Sequence, residues 1–269
     1  MEQKRLLFVA QEMDPYLALT EMASLVKRLA PMATDNGWEV RVLMPRFGVI
    51  NERRNRLHEV VRLSGINIII DDLDYPLIIK VASLPGTRIQ VYFLDNEEFF
   101  KRKLVFRDEE ENFLEDNGER MIFFCKSLIE TVRKFGWTPD IIHCHGWFTS
   151  LIPMYLRTHY AKDPIFTNSK IIYSLYEQDF QEELNNGFLK KAKISEQIKD
   201  KDIQLLEGLN NVCLNKLGIK FADAISIGSE ELSDVDTFKK LAAKKPWLAY
   251  QEDIDIQQKY LDFYNQIIG

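Results

Sequence analysis

The sequence predicts an α/β protein built on a doubly wound, mostly parallel sheet, and three observations carry that reading. Short, largely apolar runs at residues 6–10, 40–44, 140–143, 170–175 and 224–227 lack polar alternation, as strands covered on both faces do. Between several of them lie longer segments whose apolar residues recur at helical spacing. Strands that alternate with helices build parallel units with right-handed crossovers.

The chain opens with Leu6-Leu7-Phe8-Val9-Ala10, a buried strand. In residues 19–32, Met22, Leu25, Val26 and Leu29 form one helix face, and Asp35-Asn36-Gly37 ends that helix. Residues 40–44 are the second strand. Three β-rich runs follow at 60–70, 76–82 and 89–94, and the short turns between them predict an antiparallel or mixed excursion. Residues 101–117 are polar and acidic and are expected to form a mobile loop. A helix over 119–135 turns Ile122, Phe123, Leu128, Ile129 and Val132 inward. The strand at 140–143 leads through His145, Gly146 and Trp147 into a helix at 150–160. After the strand at 170–175 come a lysine-rich stretch at 185–201, a helix over 203–222 and a short strand at 224–227. Residues 233–246 read as charged turns, and Ile256, Tyr260, Phe263, Tyr264 and Ile267 form one wall of a terminal helix packed on the main sheet.

With 269 residues, 46% of them hydrophobic and 28% charged, the chain can bury a large core. Its net charge of −6 and pI near 5.4 deny it the general attraction that nucleic acids and anionic membranes need, so neither is an expected partner. The first apolar run stops at Gln11-Glu12, too short for a signal-peptide core, and no run approaches the roughly 20 apolar residues of a membrane span. Cys125, Cys144 and Cys213 stand at no metal-ligand spacing and suit buried thiols in a reducing compartment. A cytoplasmic protein without metal or cofactor is the expectation.

An open parallel sheet binds ligands in the crevice at the carboxyl ends of its strands, which makes Pro139-Asp140-Ile141-Ile142-His143-Cys144-His145-Gly146-Trp147-Phe148-Thr149-Ser150 the central stretch. His143 and His145 are two apart on extended chain and point to one face, roughly 6 to 7 Å apart. One of them is a hydrogen-bonded core residue, or the pair faces an anionic ligand, or it holds a metal, for which the spacing supplies no third ligand. Trp147 either stacks on a sugar ring or fills space between helix and sheet. Tyr173-Ser174-Leu175-Tyr176-Glu177-Gln178-Asp179 ends its strand with polar groups that either enter the same crevice or are solvated. The turn after the first strand, residues 11–20, has no glycine, and Glu12 and Asp14 in it would repel a phosphate. Lys4-Arg5, Arg53-Arg54 and Lys190-Lys191 read as solvated surface.

These blocks resemble the N-terminal lobe of bacterial glycogen synthases and plant starch synthases, retaining glucosyltransferases that use ADP-glucose in the two-lobed GT-B fold. Gln11-Glu12-Met13-Asp14-Pro15 is similar to the family's S-E-x-x-P, and Glu39-Val40-Arg41-Val42-Leu43-Met44-Pro45-Arg46-Phe47 to its E-V-R-V-L-x-P-R-Y. The central stretch is similar to P-D-(V/I)-(V/I)-H-x-H-D-W-H-(T/A). Residues 173–182 fall on F-T-(V/I)-H-N-L-A-Y-Q-G, and 222–229 on A-D-x-(I/V)-(S/T)-x-(V/G)-S. The resemblance covers most of residues 4–232 and implies a Rossmann-like acceptor-side domain over 1–232. The substrate-facing positions it implies are Glu12, His143, His145, Trp147, Thr149, Tyr176, Glu177 and Gln181, with an α-glucan as ligand.

The chain departs from the family pattern where the donor sugar would bind. Ala18-Leu19-Thr20-Glu21 replaces K-T-G-G, Gly146 replaces the acid after H-x-H, and Tyr176-Glu177 replaces H-N. Residues 233–269 are expected to be a linker and a helix that crosses back onto the first lobe, with no nucleotide-sugar lobe between them. The resulting expectation is a family member with no catalytic residue of its own. It would bind α-glucan or regulate glycogen metabolism, alone or as a homo- or hetero-oligomer, without taking ADP-glucose. The alternative is a glucosyltransferase completed by another chain; a weaker one is a sugar-nucleotide hydrolase or binder reusing Tyr176, Glu177 and His145.

Overall fold

Leu6 to Ala10 are wholly buried at the middle of the sheet, because this run has helices on both faces and strands on both sides. The structure, a computed structural model, describes residues 3–177, 180–252 and 254–269. Its strands are β1 (Arg5–Ala10), β2 (Glu39–Pro45), β3 (His58–Glu59), β4 (Ile66–Ile70), β5 (Leu73–Ser83), β6 (Gln90–Asp95), β7 (Ile141–His145), β8 (Lys170–Leu175), β9 (Ala224–Ile227) and β10 (Trp247–Leu248). They lie in the order β10, β9, β8, β7, β1, β2, β6, β5, β3, with β4 paired to β5. Every pair from β10 to β6 is parallel. β5 runs antiparallel to β3, β4 and β6, so the expected excursion is a mixed edge on a mostly parallel sheet.

The chain leaves β1 for β2 on one side and later returns to lay β7 on the other. The loops that follow β1 and β7 therefore diverge, and an open sheet has its natural crevice at such a point.

The helices are α1 (Glu21–Asp35), α2 (Glu97–Phe100), α3 (Asn117–Phe135), α4 (Leu151–Arg157), α5 (Phe188–Ala192), α6 (Asp200–Ile203), α7 (Asn211–Phe221), α8 (Val235–Leu241) and α9 (Ile256–Ile268). Thr20 caps α1, its hydroxyl accepting from the Met22 amide at 3.2 Å. α3 stops at Gly136, whose φ of 60° is the left-handed conformation glycine adopts without a Cβ penalty. α9 buries Ile256, Tyr260, Phe263 and Tyr264, and α1 is the helix it touches most. Among the described residues no helix is long and apolar enough to cross a membrane.

Four stretches differ from expectation. Residues 60–65 form a turn rather than strand, with Gly65 at φ 84°, before β4 begins. The helix expected over 203–222 starts only at Asn211: Leu209 takes a φ of 49°, and the Asn210 side chain then caps α7 by accepting from the Cys213 amide. Residues 233–248 hold α8 and β10 rather than turns alone. The 101–116 segment lacks helix and strand as expected but is tied down, not loose. The buried Arg120 guanidinium donates to the carbonyls of Phe99 and Val105, and Arg107 pairs with Glu182.

Candidate functional site

β7 carries His143 and His145 to one face, where both are fully buried and their rings lean together to 3.9 Å between centroids. Phe8 of the neighbouring β1 packs against both rings, at 5.7 and 5.9 Å. His143 is fully engaged: Nδ1 meets the Tyr264 hydroxyl at 2.9 Å, and Nε2 lies 2.7 Å from Ser174 Oγ and 3.4 Å from Ser226 Oγ. Ser174 and Ser226 are register partners on β8 and β9, and Tyr264 arrives from α9. Tyr260, one helical turn before Tyr264, lays its ring 6.0 Å from that of His143, and its buried hydroxyl has no hydrogen-bond partner among the described residues.

His145 has a different environment. Its Nδ1 meets the Tyr176 hydroxyl at 2.6 Å, while nothing among the described residues pairs with its Nε2. Burial holds the His143 imidazole well below its ordinary range, with His145 adding to the effect, and takes His145 down to about 3. Burial likewise drives the Tyr176 phenol well above its usual value. Two neutral imidazoles and a neutral phenol therefore sit in this layer at neutral pH. One of the Tyr176 hydroxyl and His145 Nδ1 donates to the other, and the choice sets the His145 tautomer.

Two glycines close the layer. Gly228, just after β9, lies directly on Tyr176, and a Cβ at that position would overlap the phenol ring. Gly146, at a φ of 73°, turns the chain out of β7; a Cβ there would overlap the Met22 methyl and stand 3.7 Å from Gln11 Oε1. Gln11 Oε1 is another buried polar atom with no partner among the described residues. Met22 and Gln11 thus fill the diverging point between the loops after β1 and β7.

The remaining expected positions surround this layer. Glu12 is buried and accepts from the amides of Leu19 and Thr20 and from the Thr20 hydroxyl, so it holds the loop that leads into α1. Burial raises its carboxyl above the usual value against those hydrogen bonds. Thr149 donates to the Gly146 carbonyl at 2.8 Å. Trp147 is 1% exposed and enclosed by Phe106, Phe113, Phe148 and Phe180, its ring closest to Phe180 at 4.7 Å. Glu177 is exposed and accepts from the Ser233 amide and hydroxyl, while its own amide donates to Ser229. Gln181 is exposed on the wall of a cleft of about 100 Å³ shared with Tyr176, Phe180, Asn211 and Ser233. Gln178 and Asp179 lie outside the described residues.

Two larger clefts flank the layer. One of about 370 Å³, between α1 and the end of β9, is lined by Glu21, Glu177, Glu230 and Glu231, with Arg28 as its cation. The other, of about 320 Å³, has walls of Phe106, Phe113, Trp147 and Phe180 beside Arg107 and Asp108. No group of three or more His, Cys, Asp or Glu among the described residues could hold a metal ion.

A model of the starch synthase catalytic domain matches residues 5–235. The chain belongs to that family. Glycogen synthase from Chlorobium limicola is 38% identical over 173 residues, covering 64% of this chain and 35% of that protein. Glycogen synthase from Chlorobaculum parvum is 34% identical over 230 residues, covering 84% of this chain and 46% of that protein. The chain thus spans about a third to a half of these relatives. The catalytic domain of starch synthase IV from Arabidopsis thaliana, solved bound to ADP and acarbose, aligns with a TM-score of 0.74 at 19% identity. That alignment covers 95% of this chain and 53% of the plant domain, so the α/β architecture is the fold of that part of the plant domain.

In this starch synthase-family chain the sequence brings together His143, His145 and Tyr176 but leaves Glu177 and Gln181 on the rim. Met22, Ser174, Tyr260, Tyr264 and Gly228 complete the layer and were not singled out as site residues. The signal for Ser174 and Ser226 lay in plain view as small hydroxyls inside otherwise apolar strands, where a buried polar group demands a partner.

Proposed function

We propose that this chain is an α-glucan-binding member of the starch synthase family, acting in a reducing, cytoplasmic setting, in which the central crevice does not take an activated sugar. The observation that carries the reading is the closed layer itself, with His143, His145 and Tyr176 fully buried under Gly228, and Met22 against Gly146. Transfer from a nucleotide sugar needs cationic and amide donors aimed at a diphosphate, and loss of a single positioned donor costs roughly 10² to 10³ in rate. Here the imidazoles are neutral and face inward. The neighbouring cleft presents Glu21, Glu177, Glu230 and Glu231, which oppose a diphosphate.

Support for an α-glucan comes from the aromatic cleft. Phe106 and Phe113 offer partly exposed apolar faces above the buried Trp147, and Asp108 and Glu111 offer carboxylate oxygens at its edge, the mixed lining that sugar rings require. Titration calorimetry of the purified chain with ADP-glucose is expected to give no heat of binding, and micromolar affinity would overturn the reading. The chain is expected to sediment with glycogen, and Phe113→Ala to weaken that retention. Radiolabelled glucose transfer that appears only with added lysate would favour the alternative of an enzyme completed by another chain.

A further inference from the structure

The basic pairs that looked alike in the sequence have different fates in the fold. Arg5 pairs with Glu39, Lys190 with Asp71 and Lys191 with Glu119. Arg53 and Arg54 pair with no carboxylate among the described residues, nor do Arg56, Arg62 and Arg88, and all five are exposed. Elsewhere the chain matches its arginines closely, as at Arg46 with Asp95, Arg133 with Asp163 and Arg157 with Asp223.

The unmatched arginines gather on the antiparallel edge of the sheet. His58 is the register partner of Val81 and Ser83 that of Gln90, which brings residues 54–58 alongside the turn between β5 and β6. Between them opens a cleft of about 690 Å³, with Arg54, Asn55, Arg56 and His58 on one side and Thr87 and Gln90 on the other. No carboxylate among the described residues lines it. The clefts beside the crevice and along residues 182–186 all carry carboxylates. Of the acids that flank residues 54–58 in sequence, Glu52 is held by Lys80 and Arg46, and Glu59 follows His58 on a strand, where successive side chains take opposite faces.

Guanidinium forks without a protein carboxylate are suited to an anion with several oxygens, and phosphate is the one they match in geometry. The cleft is far larger than a phosphate ion, and although the Thr87 hydroxyl is engaged with Leu84 and Ile89, Asn55 Oδ1 and Gln90 Nε2 make no hydrogen bond among the described residues and suit hydroxyls. We propose that this cleft binds a phosphate ester carried on a sugar. The phosphate follows from the arginines alone; the sugar follows from the size and neutral lining of the cleft and rests also on the α-glucan reading above.

The test uses the full chain, with glucose 1-phosphate, inorganic phosphate and glucose as calorimetric probes. Glucose 1-phosphate is expected to bind with Kd below about 1 mM and glucose not at all. The R54Q/R56Q double variant is expected to weaken that binding roughly tenfold or more, while K239A/K240A, the same charge loss on α8, leaves it unchanged. Equal binding by R54Q/R56Q and the parent, or none at about 10 mM ester, overturns the site. Inorganic phosphate binding as tightly as the ester overturns the sugar. Sedimentation with a phosphorylated α-glucan, before and after phosphatase treatment, separates the sources. A phosphatase-sensitive gain lost in R54Q/R56Q assigns the ester to the polymer, and ester binding without that gain assigns it to a soluble sugar phosphate. Retention on plain glycogen tests the α-glucan reading separately, because its failure leaves the glucose 1-phosphate result standing.

Discussion

At the carboxyl end of β7 the polar groups face one another, whereas along residues 54–58 they face water. His143 spends both ring nitrogens on Tyr264 and Ser174, and Tyr176 is spent on His145. Arg54 and Arg56 spend their guanidinium groups on no described residue. The expected crevice is filled by its own side chains while an edge is left with unmatched cations, and on that contrast the proposed phosphate-ester site rests. Buried polar layers of the first kind are expensive to disturb, because each lost partner strands another group away from water. Open clusters of the second kind cost the fold little and leave their charge available to a ligand.

The sharpest way to break this comparison is to crowd the filled crevice. A methyl group at Gly228 would overlap the rigid, fully buried Tyr176 ring. Gly228→Ala is therefore expected to destabilise the protein by about 3 kcal/mol, read as a lower urea midpoint at unchanged slope. Tyr176→Ala in the same background should return a coupling of about 1 kcal/mol or more in a double-mutant cycle. Additive effects would mean that the crevice has room, and with it that the closed layer is the wrong picture.

The second test uses protons. The folded-state pKa of His145 is depressed to about 3, and that of His143 lies well below its ordinary range. The unfolded chain then binds protons that the folded chain refuses, so stability is complete above the unfolded value near 6.5 and is lost as pH falls toward the folded values. Each histidine contributes a loss of about 1.4 kcal/mol per pH unit below about pH 6. Glu12 acts with the opposite sign: its raised pKa favours the folded state below the usual carboxylate value, and that contribution fades as pH rises through the folded value. The difference between the parent and His145→Gln isolates the histidine, and the variant is expected to lose stability less steeply between pH 6 and pH 4. Parallel slopes would show that His145 is protonated in the folded protein and hence reachable by water.

The sheet was legible because buried parallel strands announce themselves by local composition, as at Leu6 to Ala10 and residues 170–175. The antiparallel edge was legible for the same reason, from its β-rich runs and short turns. What failed to show was governed by distant partners. α8 buries only Phe238 and so has no apolar stripe to read. The 101–116 loop looked mobile because its polarity is local, whereas the Arg120 guanidinium that holds it comes from α3. His143 and His145 were legible as a pair on one face. Which of them would be satisfied depended on Tyr264, more than a hundred residues later, and Tyr176 could be placed inside rather than on the rim only once Gly228 lay against it. The basic pairs were indistinguishable in sequence because an ion pair is a property of register and loop path, not of the cation.

The smallest expected effect falls on the open edge. R54Q/R56Q removes two exposed charges that make no ion pair, so its urea midpoint should correspond to a change within about 0.5 kcal/mol of the parent. Its sign carries the information. Arg53, Arg54 and Arg56 stand within four residues of one another with no counterion between them, and mutual repulsion weakens the parent more at low salt. Mobile ions screen charges beyond roughly 10 Å at 0.1 M salt and beyond about 30 Å at 0.01 M. The variant is therefore expected to be slightly more stable than the parent at low salt and equal to it at high salt. A variant clearly less stable at every salt concentration would mean that these guanidinium groups hold the edge together, and their availability to a phosphate ester would go with it.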